Sequence, residues 1–80
     1  MIDFNENKCK NNIIYNVLIF KRTKNEYALS NAKKEIEILA KYYRLSLRKK
    51  QVSDIDIALE EFVINNKGYV DTIINLYNAL

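Results

Sequence analysis

The stretch at residues 26–43, EYALSNAKKEIEILAKYY, decides the fold class. Leu29, Ala32, Ile36, Leu39 and Tyr43 recur at spacings of three and four, with Lys33, Lys34, Glu35, Glu37 and Lys41 between them. That period makes one side of an α-helix apolar and the other charged. A second seam follows in Leu45, Val52, Ile55, Leu59 and Phe62, offset in heptad phase from the first by two residues. One straight helix cannot carry both stripes, so the chain is expected to bend near Arg44 to Ser46. Ser53 followed by Asp56 resembles a capping box with a shorter acid, which predicts a helix over 53–65. Asn65, Asn66, Lys67 and Gly68 read as its stop, because Gly takes the left-handed conformation beyond a helix end at no steric cost. Val70, Ile73, Ile74 and Tyr77 form a last apolar stripe, expected to pack back on the preceding helix through a tight turn.

Towards the N-terminus the pattern is less sharp. Residues 13–20, IIYNVLIF, place Ile13, Val17 and Phe20 on a helical stripe, yet a continuous β-branched and aromatic run also suits a buried strand. We read it as helix, with a strand as the alternative. Residues 1–12, MIDFNENKCKNN, are polar and Asn-rich without a sustained period, and read as a flexible N-terminal arm that Phe4 would anchor. Since the chain has no Pro and strict alternation is not sustained, the expected class is all-α. The architecture is a small compact three- or four-helix bundle, with the arm at 1–12 preceding a single helical domain at 13–80.

Eighty residues suffice for one domain and not for two. With 49% hydrophobic and 29% charged residues the composition is that of a folding chain rather than a disordered one. A core this small leaves little net stability, so a homodimer or a bound partner is an expectation. The chain holds 11 Asn, 11 Ile, 10 Lys and 6 Tyr, all types that AT-rich codons specify, so their abundance reads first as genome composition. Cys9 has no second cysteine to pair with, which points to a reducing, cytoplasmic compartment. The longest apolar run is far short of a membrane span, and Asp3 and Glu6 oppose the positive start of a secretory signal.

Catalysis is poorly served. Without His, acid and base work falls to groups whose pKa values need strong tuning by burial, so no enzyme activity and no catalytic residue is expected. Asp56 and Glu60 stand one turn apart, but acids early in a helix favour its dipole and face water. No cofactor or metal is expected: a single Cys without His supplies no zinc set, Asp54 and Asp56 lack the pattern of a calcium loop, and Gly68 alone makes no phosphate cradle. Cys9 between Lys8 and Lys10 is either a reactive thiol or an inert one.

Two stretches suggest binding instead. The C-terminal Tyr69, Ile73 and Tyr77 are the candidate protein-binding patch, because Tyr is favoured where a ring packs while its hydroxyl stays wet. The run KYYRLSLRKK at 41–50 collects Lys41, Arg44, Arg48, Lys49 and Lys50 beside Tyr42 and Tyr43, with no acid. It is the candidate nucleic-acid surface, the alternative being a solvated helix end that complements the helix dipole. A protein partner is expected first and DNA second.

Three resemblances bear on these alternatives. ILAKYYRLS at 38–46 looks like the first helix and turn of a helix-turn-helix DNA reader, with Arg44 where that family usually has Gly. IALEEFV at 57–63 resembles the second helix of a ribbon-helix-helix repressor, with residues 13–20 as its strand. The order of segments from residue 13 to 80, with AKKEIEILAK, IDIALEEFV and IINLYNAL, is similar to the small bacteriocin immunity proteins of Gram-positive bacteria. That likeness implies a cytosolic, basic, antiparallel helical bundle. It also implies protection of a producing cell by engaging the membrane receptor that the bacteriocin targets, with specificity in the C-terminal part. It assigns no functional residue.

Overall fold

The computed structural model describes residues 4–52, 54–65 and 68–80. Among them it forms four helices and no strand: α1 (Glu6–Thr23), α2 (Glu26–Tyr42), α3 (Ile55–Ile64) and α4 (Tyr69–Ala79). The all-α expectation therefore holds. The strand alternative at 13–20 does not, because these residues are the middle of α1.

α1 also corrects the reading of residues 1–12. Asn5 caps the helix, its side chain accepting a hydrogen bond from the Lys8 N–H at 3.0 Å, and Glu6 in the first turn complements the dipole. Residues 6–12 are therefore helical rather than a loose arm. Cys9 helps to hold this first turn, since it continues the Ile13 and Val17 stripe by one turn and is buried with them. Phe4 does serve as an anchor: its ring lies 4.4 Å from that of Tyr42. Residues 1–3 lie outside the described residues.

Lys24 ends α1 in the left-handed conformation, its N–H returning to the Phe20 carbonyl at 2.8 Å. Only Lys24 and Asn25 separate α1 from α2, and the Asn25 side chain caps α2 by accepting from Tyr27 N–H. α1 and α2 thus form a tight helix pair. α2 buries Ala28, Ala32, Ile36, Leu39 and Ala40. It stops where the sequence predicts a bend. Arg44 takes φ 58°, with Arg44 N–H donating to the Lys41 carbonyl and Leu45 N–H to the Ala40 carbonyl. This is a Schellman stop with Arg in the position usually given to Gly.

Residues 43–52 then cross the bundle without helix. From 44 to 48 exposure alternates, with Leu45 and Leu47 turned to the core and Arg44, Ser46 and Arg48 to solvent. The Asn78 side chain donates to the Arg48 carbonyl at 2.9 Å and ties this crossing to α4. Asp54 caps α3, accepting from Asp56 N–H at 2.8 Å, one residue later than the Ser53 cap read from the sequence. Ser53 lies outside the described residues, as do Asn66 and Lys67 of the expected stop signal. Gly68 is left-handed, at φ 69°, but it starts α4 rather than ending α3, which closes at extended Asn65.

α4 folds back on α3, as its stripe predicts. The pair sits against the first through α2 with α4 and α1 with α3, around one core of Ile13, Val17, Ile36, Leu39, Phe62, Ile73 and Leu76. A radius of gyration of 11.8 Å agrees with about 12 Å for a single folded body of this length.

Candidate functional site

The C-terminal candidates lie mostly in the core. Ile73 is fully buried. Tyr69 is half-buried, stacked on Phe62 with ring centroids 5.2 Å apart and edge-on to Tyr43. Tyr77 is half-buried against the same core, its hydroxyl donating to Glu37 at 3.1 Å. The three do not form an exposed patch, because the last stripe is what closes the bundle over α2 and α3.

The basic candidates are placed as expected of a surface, though on the wrong architecture for the DNA families. Lys41, Arg44, Arg48, Lys49 and Lys50 are all exposed, and no ion pair among the described residues engages them. However, twelve residues separate α2 from α3, where a helix-turn-helix needs a turn of three or four. A ribbon-helix-helix requires a strand where α1 lies.

Cys9 settles on the inert side. Its thiol is buried and donates to the Glu35 carboxylate at 3.2 Å and to the Glu35 carbonyl at 3.4 Å. Burial above all, then the hydrogen bond and the charge of Glu35, pushes the thiol up to about 12. Lys10, one of the flanking cations, instead sits over the Phe62 and Tyr69 rings. Tyr69 is likewise raised, by burial first and then by the charges of Glu6 and Cys9. Its hydroxyl is buried without a partner, whereas the Tyr43 hydroxyl donates to Glu6.

These raised values predict an alkaline limit to stability. Folded Cys9 and Tyr69 keep protons that the unfolded chain releases above the ordinary values of 9.0 for the thiol and 10.0 for the phenol, so unfolding is favoured as pH rises. The contribution is complete below pH 9 and is lost toward about 12 for Cys9. Each group adds a slope of at most about 1.4 kcal/mol per pH unit. Urea midpoints between pH 8 and pH 11 measure it, and the fall should be shallower in Cys9→Ala. Equal slopes in the two proteins would remove Cys9 from the account.

What the sequence reading missed lies between α3 and α4. On α3, Ile57, Glu60, Glu61 and Ile64 fall at i, i+3, i+4 and i+7, which is one helix face. On α4, Asp71, Thr72 and Asn75 form the opposite wall. Together they bound an open groove of about 970 Å³. Ile57 is 54% exposed and Ile64 68% exposed, a large apolar surface for two side chains on one face. Thr72 satisfies itself by donating to the Tyr69 carbonyl at 2.8 Å, while the Asn75 Oδ1 is buried with no partner. Glu60, Glu61 and Asp71 are exposed, no ion pair among the described residues engages them, and no Lys or Arg lines the groove among those residues.

One signal for this face was present in the sequence. Seven of the ten residues of α3, IDIALEEFVI, are apolar, more than one buried stripe requires. Ile55, Ala58, Leu59 and Phe62 face the core, and Ile57, Val63 and Ile64 are the surplus, of which Ile57 and Ile64 line the groove. Among the described residues, no group of three or more potential ligands could hold a metal ion, and no helix is long and apolar enough to cross a membrane. No family model, curated protein or solved structure matches the chain.

Proposed function

We propose that this protein is a non-enzymatic, cytosolic binding protein that engages a protein partner through the α3–α4 groove, in the manner of a small immunity protein or inhibitor. The observation that carries the reading is the exposure of Ile57 and Ile64 on one face of a groove between two helices whose other faces pack in the core. Apolar side chains on a shared face, rimmed by charge, mark interaction sites more often than isolated ones do. The absence of His and the inert, buried Cys9 support a binding role over catalysis, and an unpaired thiol supports a reducing compartment.

A second reading rests on the exposed run Lys41, Arg44, Arg48, Lys49 and Lys50, which is free to meet phosphate without being part of either DNA-binding architecture. One experiment weighs both. Tagged protein is used to capture partners from lysate of the source cell, alongside Ile57→Ser/Ile64→Ser and Arg48→Ala/Lys49→Ala/Lys50→Ala variants. The expected result is a protein retained by the wild type and by the basic-run variant but lost from the groove variant. Retention that ignores the groove substitutions would sink the first reading. Nucleic acid that is retained by the wild type and lost only from the basic-run variant would promote the second.

A further inference from the structure

We propose that the occupant of the α3–α4 groove is a cationic amphipathic helix of two to three turns, belonging to the partner. This rests on the groove being the protein-binding surface, and it specifies the chemistry the groove selects. Both walls carry acid, Glu60 and Glu61 on α3 and Asp71 on α4; none is in an ion pair among the described residues, and Lys50 lines the adjoining hollow beside Glu61. The chain as a whole is positive, at +3, so this acidic strip is a local feature set against the overall field. A ligand with an apolar ridge and flanking Lys or Arg places the ridge between Ile57 and Ile64 and its cations against the three carboxylates.

A helix fits better than an extended segment. The described residues contain no strand, so no sheet edge exists to which an extended peptide could add its backbone hydrogen bonds. Two adjacent helices instead offer a furrow for the side-chain ridge of a third. From Ile57 to Ile64 the wall runs roughly 10 Å at the rise of an α-helix, which matches about two turns of a ligand.

The basic run and α1 of a second copy are poorer matches. Its basic run at 44–50 is not helical. The outer face of α1 does present Tyr15 and Leu18 with Lys21 and Arg22. Lys21 is already paired with Asp56, which leaves Arg22 against three carboxylates.

The test uses three fluorescein-labelled synthetic peptides with one helical Leu pattern, carrying Lys, Gln or Glu at the polar positions. Each is titrated by anisotropy into the full chain, with amide chemical shifts used to locate binding. The Lys peptide should bind and shift resonances of α3 and α4, the Gln peptide should bind more weakly, and the Glu peptide should not bind. Glu60→Gln/Glu61→Gln/Asp71→Asn should weaken the Lys peptide by about tenfold or more, because three exposed ion pairs are lost. These side chains are exposed, and far-UV circular dichroism verifies that the variant folds.

If the Lys and Gln peptides bind equally, and both are lost in Ile57→Ser/Ile64→Ser, the groove binds helices but the cationic preference is wrong. If no peptide shifts α3 or α4, the cationic helix is wrong, and capture that still depends on Ile57 and Ile64 would leave the broader reading standing. Sedimentation equilibrium showing a dimer dispersed by the groove variant would assign the groove to a second copy and overturn the proposal.

Discussion

Replacing Ile73 by Asp is expected to leave the chain unfolded at 25 °C. Ile73 is fully buried in the layer where α4 meets the rest of the core. A carboxylate there has no cation to meet, since the side chains that form its cluster are apolar. The substitution both removes the packing of a branched side chain and places an unpaired charge in a dry site, a combination that costs about 4 kcal/mol or more. A chain of this length has roughly 4–12 kcal/mol in total. Loss of helical circular dichroism and collapse of amide chemical-shift dispersion would record the result. Tyr77→Phe is the matched control, because it deletes only the hydroxyl that donates to Glu37 and should cost no more than about 1.5 kcal/mol. A folded Ile73→Asp protein with altered partner binding would restore Ile73 to the surface and overturn the placement of α4.

Phe62→Ala is expected to lower the free energy of unfolding by about 3–5 kcal/mol. Phe62 is the largest fully buried side chain, and it stands where the two helix pairs meet. Its ring is stacked on Tyr69, which continues edge-on to Tyr43 and Tyr42 and then, tilted, to Phe4, so the aromatic series pins the N-terminal end of α1 to α4. Lys10 over both the Phe62 and Tyr69 rings would lose one face of its site. The cavity cannot close easily, because its walls come from different helices fixed by other contacts. Urea unfolding followed at 222 nm measures the effect. A loss below 1 kcal/mol would show that Phe62 is not the wedge between the pairs.

Much of the helical order was legible in the sequence, because amphipathic spacing is a property of each segment alone. The stripe of Leu29, Ala32, Ile36, Leu39 and Tyr43 predicts α2 over 26–43, and α2 runs from Glu26 to Tyr42. The change of phase after Tyr43 locates the bend that Arg44 makes with a left-handed φ. The start of α1 was not legible, because Asn5 and the Asn-rich turn after it suit a loop as well as a cap. The decisive residue, Cys9, is seen as core only once α2 covers it and Glu35 accepts from its thiol. The alternation from 44 to 48 is too short to stand out, yet it is what turns Arg44 and Arg48 outward while Leu45 and Leu47 pack.

Period, caps and composition act over a few residues, so the course of α2, α3 and α4 and the clustering of charge could be read from the chain, while helix or strand at 13–20 could not. Which apolar residues are core and which are surface depends on how the helices pack. A stripe gives the angle of a side chain around its own helix axis, but not which neighbour covers it. So Ile73, read as a binding residue, is sealed by α4 closing the bundle, while Ile57 and Ile64 stay in solvent because α4 lies to one side of them. The acidic groove arises the same way: Glu60 and Asp71 are eleven positions apart in sequence and become opposite walls only when α4 folds back against α3.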